Sequence, residues 1–168
     1  MAEVTKMALH TFGINDITTV YDAERAFASF CEATPDLVIT DWLKDPNNGL
    51  ALTRRIRSDK ASPNPFVPII LTMGYSLKKR ILMARDAGVS EILAKPFTAK
   101  TLAQKIEQII EAPKSFVVCD TYIGPDRRHE GDGSYAGPDR RKNPPNIVNI
   151  SDKSIDSAIS LIRKDEKE

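Results

Sequence analysis

Four short apolar or β-branched segments alternate with amphipathic segments along the first two thirds of the chain, and this alternation constrains the fold most. The segments read ITTVY (17–21), LVIT (37–40), VPIILT (67–72) and EILA (91–94). Short runs of this kind, without strict alternation of polar residues, are typical of strands buried on both faces. Strands that alternate with helices form a parallel sheet covered by helices on both sides. The predicted fold class is therefore a doubly wound α/β domain.

Apolar residues at helical spacing predict four helices between and after these strands. Asp22, Ser76 and Thr98 are predicted N-caps, while Gly49 precedes one helix and Gly88 ends another. The predicted apolar positions are Ala23, Ala26, Phe27 and Phe30 in the first helix, Leu52 and Ile56 in the second, and Leu102, Ile106, Ile109 and Ile110 in the fourth.

Three polar residues occupy the carboxyl ends of predicted strands. Asp41 follows LVIT, Thr72 ends VPIILT and Lys95 follows EILA. In doubly wound sheets, sites form at the carboxyl ends of the strands. A carboxylate can attack a phosphoryl donor and hold an aspartyl phosphate, while a lysine and a hydroxyl bind the phosphoryl oxygens. The pattern therefore indicates phosphoryl chemistry, which Mg²⁺ would assist if oxygen ligands were available.

Residues 9–110 resemble a response-regulator receiver domain, of the single-domain type found in chemotaxis regulators. The resemblance is carried by PDLVITDW, by the glycine before Leu50, by VPIILT and by ARDAGVSEILAKPF. It implies a flavodoxin-like fold with five parallel strands. It also implies that Asp41 is the phospho-acceptor and a Mg²⁺ ligand, and that Leu43 offers its backbone carbonyl to the same metal.

The resemblance assigns further roles at the neighbouring strand ends. Thr72 is implied to be the switch hydroxyl and Lys95 the phosphate-binding lysine, with a cis peptide bond before Pro96. The partner-binding surface implied by the resemblance contains Tyr75, Ile92 and Phe97.

This sequence departs from the receiver pattern at several positions. The family begins with an apolar strand that ends in a pair of acids holding Mg²⁺, and this chain has neither. Gly13 matches the glycine that ends the family's first helix, so the sequence is expected to start inside that helix, after the acids. Without the acid pair, Mg²⁺ binding is expected to be weak. Ile92 stands where an aromatic residue is usual, and Met73 stands where a small residue is usual.

Three explanations for the absent first strand are open at this point. The chain is an incomplete copy, truncated at its N-terminus, or it is a degenerate receiver that closes its sheet differently. In the third explanation SFVVCD (115–120) replaces the lost strand, which would bring Asp120 close to Asp41.

The composition changes after the receiver segment, residues 1–112. Residues 113–150 are rich in Pro, Gly, Asn and Asp, and they are predicted to form an irregular or disordered arm. The arm holds a repeat, YIGPDRR (122–128) and YAGPDRR (135–141), and resembles the tail of a receiver subgroup associated with alphaproteobacteria. Residues 151–168 are predicted to form a short amphipathic helix and a charged tail. The predicted apolar face of that helix contains Ile155, Ala158, Ile159 and Ile162.

The resemblance implies a two-component signalling receiver rather than an enzyme that turns over a substrate. A histidine kinase or a phosphotransfer protein would supply the phosphoryl group to Asp41, and a switched surface would bind an output protein. The alternative is a degenerate, phosphorylation-independent receiver that acts as a protein-interaction module. The formal net charge of +1 disfavours nucleic acid as the partner. Two isolated cysteines and the lack of a long apolar run predict a cytoplasmic protein without a membrane span.

Overall fold

The computed structural model describes residues 2–42, 48–74, 78–119, 121–126 and 146–149. Its helices are α1 (Ala2–Thr11), α2 (Ala23–Ala33), α3 (Asn48–Ser58), α4 (Lys78–Asp86) and α5 (Ala99–Glu111). Its strands are β1 (Val38–Asp41), β2 (Ile69–Met73), β3 (Glu91–Ala94), β4 (Phe116–Cys119), β5 (Tyr122–Pro125) and β6 (Asn146–Val148). No helix in these ranges is long and apolar enough to cross a bilayer.

The first three strands form a parallel sheet, the main sheet, in the order β1-β2-β3. β2 lies at the centre and all of its residues are buried, as its continuous apolar run predicts. The register pairs Asp41 with Thr72 and Ile70 with Glu91, so the carboxyl ends of the strands meet at one edge. The prediction of a parallel α/β sheet is confirmed.

Helices cover the main sheet on both faces. On one face, Leu9 of α1 and Leu102 of α5 pack with Ile70 and Leu93. On the other face, successive β2 residues point the opposite way, and the helices α2 and α3 pack there against Ile69. The second core cluster consists of Phe27, Phe30, Leu52, Ile56, Val67 and Ile69. This is the doubly wound arrangement that the sequence predicts.

The predicted caps Asp22, Thr98 and Gly88 are confirmed, whereas Gly49, predicted to precede a helix, lies inside α3. Asp22 accepts a hydrogen bond from the Arg25 backbone N–H at 2.9 Å, and Thr98 accepts one from the Thr101 N–H at 3.1 Å. Gly88 follows α4 with a φ of +90°, a conformation that favours glycine. Gly13 follows α1 in the same region of backbone space. The predicted cap at residue 76 lies outside the described residues.

One predicted position of the α5 stripe is wrong. Ile110 is 72% exposed, whereas Leu102 is buried and Ile109 is half-buried against the main sheet. Consecutive residues of an α-helix point about 100° apart, so Ile109 and Ile110 cannot both face the same core.

The predicted strand at residues 17–21 is also wrong, because this segment has no regular secondary structure. Ile17 packs against the core formed by α1, α5 and the main sheet. A strand requires a neighbouring strand for its ladder hydrogen bonds. Among the described residues, β1 pairs with β2 alone, and no strand lies between β1 and residues 17–21.

A second, antiparallel sheet, the small sheet, has the order β5-β4-β6. This corrects the hypothesis that residues 115–120 replace a strand of the main sheet, because β4 pairs with β5 and β6 instead. A hairpin between adjacent strands closes a much shorter loop than insertion between distant strands would. Residue 120, the acid of that hypothesis, lies outside the described residues.

The small sheet also corrects the prediction that residues 113–150 are irregular throughout, since β4, β5 and β6 lie within this range. Phe116 of β4 packs edge-on against Phe66, with ring centroids 5.5 Å apart. Val148 of β6 is buried in the same cluster. This apolar cluster buries part of the small sheet against the receiver core. The composition of the arm as a whole, rich in polar residues, glycine and proline, does not predict it. The predicted helix within 151–168 lies outside the described residues.

Arg57 lies where the small sheet meets the receiver core, and 3% of it is exposed. Its guanidinium donates hydrogen bonds to the carbonyl oxygens of Gly88 at 3.0 Å and of Pro65 and Val67 at 2.7 Å. The same group lies over the Phe116 ring, 5.0 Å from its centroid. Burial lowers the pKa of Arg57 to about 9. The carbonyls and the ring offset part of the cost of burying this cation, whose Nη2 atom is buried without a hydrogen-bond partner among the described residues.

Glu91, the first residue of β3, ties α5 and the segment before β4 to the main sheet. Its carboxylate binds Lys105 at 2.8 Å and Lys114 at 2.6 Å, and 9% of its side chain is exposed. Burial acts to raise the pKa of Glu91, but hydrogen bonds from the two lysines outweigh it and hold the pKa below its usual 4.5.

The lowered pKa of Glu91 predicts a pH-dependent contribution to stability. The contribution is complete above the unfolded value near 4.5 and disappears as the pH falls through the folded value. We expect Glu91→Gln to lower the free energy of unfolding by about 1 kcal/mol at neutral pH, a figure discounted for the half-exposed lysines. The difference between wild type and variant should shrink between about pH 5 and about pH 3. Urea unfolding across this range measures it.

Glu107→Gln is the matched control for this experiment, because Glu107 is an exposed acid of α5, the helix that carries Lys105. It should leave the pH dependence of the wild type unchanged. An equal loss in both variants, or a Glu91→Gln difference that persists at low pH, would contradict the assigned role of Glu91.

Candidate functional site

Asp41, Thr72 and Lys95 come together at the carboxyl edge of the main sheet, and we call them the strand-end cluster. One carboxylate oxygen of Asp41, Oδ2, accepts from Lys95 Nζ at 2.5 Å. The other, Oδ1, accepts from the Thr72 hydroxyl at 3.1 Å. The three residues predicted from separate strand ends therefore lie in direct contact.

The backbone of the main sheet positions these side chains. Asp41 and Thr72 are register partners, and the Trp42 N–H donates to the Thr72 carbonyl at 2.8 Å. The Lys95 N–H donates to the Met73 carbonyl at 2.7 Å, which holds the start of the loop after β3 against β2. The cluster therefore rests on regular strand pairing rather than on loops alone.

Within the strand-end cluster, the acid is partly exposed to solvent and the hydroxyl is buried. The side chains of Asp41 and Lys95 are 30% and 19% exposed, and Thr72 is 4% exposed. A half-buried carboxylate beside an ammonium group and a hydroxyl can act as a nucleophile whose product charge is neutralised in place. Such an arrangement suits transfer of a phosphoryl group to the acid itself.

Gly49, in the first turn of α3, approaches the backbone of Asp41 closely. A Cβ atom at this position would meet the Asp41 carbonyl oxygen and lie 3.2 Å from the carbonyl carbon. In the sequence, Gly49 is only one of the positions that match the receiver pattern. No local pattern around it predicts its close approach to the Asp41 backbone. Gly49 thus belongs to the residues that position the cluster.

The other predicted site residues have separate outcomes. The Lys95–Pro96 peptide bond is cis, as the resemblance implies. Ile92 is half-buried beside Leu71 and Val89, and Phe97 is half-buried in the cluster around Leu102. Met73 is fully buried. Leu43 and Tyr75 lie outside the described residues, so their predicted roles stay predictions.

The described residues do not fit a Mg²⁺ site. Magnesium requires near-octahedral oxygen coordination, and Asp41 is the one carboxylate of the strand-end cluster. In the ranges the structure describes, no three His, Cys, Asp or Glu side chains group closely enough to hold a metal ion. Receiver domains in general hold Mg²⁺ at an acidic site, whereas the described residues of this chain provide no such group of acids.

The sequence matches the response regulator receiver domain over residues 1–107. It is 30% identical over 111 residues to the chemotaxis protein CheY-3 of Vibrio cholerae, an alignment covering 66% of this chain and 84% of that protein. It is 29% identical over 111 residues to the chemotaxis protein CheY of Pseudomonas aeruginosa, covering 66% of this chain and 88% of that protein.

Solved structures show the same fold. The receiver domain of NtrX from Brucella abortus matches with a TM-score of 0.56 at 27% identity, covering 66% of this chain and 89% of that one. A response regulator from Thermotoga maritima matches with a TM-score of 0.55 at 26% identity, covering 66% and 87%. The chain therefore belongs to the response regulator receiver domain family, the CheY-like receivers of two-component signalling.

Proposed function

We propose that this chain receives a phosphoryl group on Asp41 and changes a partner-binding surface in response. The observation that carries the proposal is the contact of Asp41 with both Lys95 and Thr72 at an accessible sheet edge. The chain is then a signalling module rather than a turnover enzyme, because the phosphoryl group ends on the chain itself. Receiver domains interact with histidine kinases and phosphotransfer proteins, which supply a donor of this chemistry.

In the proposed transfer, a carboxylate oxygen of Asp41 attacks the phosphorus of a phosphohistidine. A P–O bond forms as the P–N bond breaks, and the imidazole nitrogen keeps the electron pair and takes up a proton from solvent. The product is an acyl phosphate on Asp41. Lys95 moves from the carboxylate to a phosphoryl oxygen and neutralises part of its charge, and the Thr72 hydroxyl donates to another oxygen.

The proposed response spreads from Thr72 and Lys95 into the segments that follow them. Lys95 begins the loop that leads to Phe97, and Phe97 packs in the core cluster with Leu102 of α5. Movement of Lys95 toward a phosphoryl group therefore shifts the start of α5 relative to β3. The predicted partner surface, with Tyr75, Ile92 and Phe97, lies along the segments that follow Thr72 and Lys95. An output protein that binds only the phosphorylated conformation would shift the equilibrium between the unphosphorylated and phosphorylated conformations.

A second candidate function is a phosphorylation-independent interaction module. It is favoured by the engagement of both Asp41 oxygens and by the lack of fit to Mg²⁺ among the described residues. In this case Lys95 serves as the permanent counter-ion of Asp41 and holds the sheet edge in one state.

Intact mass after incubation with acetyl phosphate, with and without Mg²⁺, tests these two candidates. We expect a phosphoryl adduct on the wild type and none on Asp41→Asn, because the amide is not a nucleophile for phosphorus. Asp36→Asn is the matched control, since Asp36 is an exposed acid just before β1, and it should give the wild-type adduct.

Circular dichroism of the same samples shows whether each chain is folded. A folded wild type without an adduct would contradict phosphoryl acceptance and favour the interaction module. An adduct of equal size on Asp41→Asn would place the acceptor elsewhere.

A further inference from the structure

The arm carries two copies of one seven-residue element, and the structure places the ordered part of the first copy. The copies YIGPDRR (122–128) and YAGPDRR (135–141) differ only in their second residue, Ile123 against Ala136. The first four residues of the first copy form β5. The second copy lies outside the described residues. The contacts of β5 therefore show what such an element binds.

Some contacts of β5 are internal to the repeat. The Tyr122 hydroxyl donates to the Pro125 carbonyl at 3.0 Å, and its ring folds over Gly124. A Cβ atom at Gly124 would lie 2.6 Å from the Tyr122 Cζ atom, so a larger residue beneath the ring would displace it. The second copy retains the tyrosine, glycine and proline as Tyr135, Gly137 and Pro138. It can therefore adopt the same local structure.

Other contacts join β5 to the receiver. A Cβ atom at Gly124 would lie 2.8 Å from the Gly88 Cα, and a Cβ atom at Gly88 would lie 2.8 Å from the Ile123 carbonyl oxygen. Two glycines thus allow the backbones to touch. We call Gly88, Arg57 and strand β4 the docking surface. Apart from the side chain of Ile123, β5 binds this surface through features that both copies share.

We propose that the second repeat is an alternative occupant of the docking surface, exchanging with the first repeat in the same chain. β5 pairs with β4 through backbone hydrogen bonds, which any strand of the same shape can supply. Both repeats are tethered to β4 by a linker. Residues 120–121 form the linker to the first repeat, and residues 120–134 form the linker to the second. The tether favours exchange within the chain over binding to a second copy, because it gives the second repeat a high effective concentration.

Two differences make the first repeat the preferred occupant. Ile123 packs against the buried cluster of Phe66, Phe116 and Val148, and Ala136 would lose much of that apolar contact. The longer loop also costs more conformational entropy to close. The second repeat therefore binds as the minor state, and it becomes the major state when the first repeat is impaired.

A double-mutant cycle on the two glycines tests the exchange. Gly124→Ala forces a clash with Tyr122 and Gly88, so the second repeat replaces the first, and the melting temperature falls by about 3 °C. Gly137→Ala alone leaves the melting temperature unchanged. The melting temperature of the double variant falls by about 3 °C more than the sum of the two single changes, because neither repeat fits the docking surface. Gly133→Ala, a glycine between the repeats, is the matched control and should have no effect in either background.

Equal melting temperatures for Gly124→Ala and the double variant would overturn the proposal. A gain-of-function variant keeps the test decisive if Gly124→Ala fails to fold. Ala136→Ile, which restores the missing side chain in the second repeat, should return a cooperative transition to the Gly124→Ala chain. Failure of this rescue would also overturn the proposal.

Protein concentration identifies the source of the second repeat. Exchange within one chain predicts the same melting temperature at concentrations about tenfold apart. A melting temperature of the Gly124→Ala variant that rises with concentration would assign the occupant to a second copy and overturn exchange within the chain.

Discussion

Arg57→Ala is expected to lower the free energy of unfolding by about 3 kcal/mol, because three buried carbonyls lose their shared donor. Gly88, Pro65 and Val67 supply those carbonyls, and they lie on two backbone segments, the loop before β2 and the turn after α4, that meet at this side chain. The Phe116 ring also loses the cation above it. Urea unfolding measures the loss. Amide hydrogen exchange of β4 should accelerate in parallel, since the small sheet loses part of its support.

Two further variants show which part of Arg57 matters. Arg57→Met keeps a long apolar side chain beneath Phe116 but removes every donor, so we expect it to recover packing and not the hydrogen bonds. Arg54→Ala is the matched control, because Arg54 is an exposed residue of the same helix, and its effect should stay within about 0.5 kcal/mol. An Arg57→Met chain as stable as the wild type would contradict the importance of the hydrogen bonds.

The sequence alone reveals the main sheet and the strand-end cluster because both follow from local patterns. β2 is a continuous apolar run, and only a strand covered on both faces can bury it. Once the strands are parallel, Asp41, Thr72 and Lys95 must share one edge, since each stands at the carboxyl end of its strand. The parallel topology already predicts that these three residues lie close together. The structure adds the hydrogen bonds and distances that join them.

The pairing of strands is harder to predict, because a partner far along the chain decides it. Residues 17–21 have the composition of a strand, yet no strand among the described residues lies beside them to complete a ladder. Residues 116–119 are equally apolar and do form a strand, β4, because β5 follows immediately and supplies the hydrogen bonds. The glycine and proline of β5 indicate a loop by composition, but Gly124 is required by its close approach to Gly88.

Buried polar residues are the other part that the sequence does not reveal. Arginine is usually exposed, and nothing in the sequence around Arg57 distinguishes it from Arg54 or Arg55. Its burial depends on carbonyls from distant loops and on the Phe116 ring, which reach it only in the folded chain. The helix pattern offers a partial signal, since Thr53, Ile56 and Arg57 lie at spacings of three and four residues and are all buried.

Gly49→Ala is expected to destabilise the chain by about 3 kcal/mol and to impair the strand-end cluster at the same time. The added Cβ would meet the Asp41 carbonyl and lie 3.3 Å from the Leu71 Cδ1 atom. Both neighbours belong to the buried sheet, so α3 must move away from β1 to make room. The hydrogen bond from the Thr53 hydroxyl to the Gly49 carbonyl, at 2.8 Å, resists this movement by fixing the first turn of the helix.

Gly74→Ala separates the steric effect of Gly49 from a general intolerance of alanine near the cluster. Gly74 directly follows β2, and a Cβ atom there would meet nothing within 4 Å, so its effect should stay within about 0.5 kcal/mol. Urea unfolding measures stability, and emission of Trp42, the single tryptophan, reports the position of the residue after Asp41. If phosphoryl acceptance depends on the placement of Asp41, Gly49→Ala should also form the acetyl phosphate adduct more slowly under conditions in which it remains folded. A destabilised Gly49→Ala chain with wild-type emission and adduct formation would show that Gly49 supports the core without positioning Asp41.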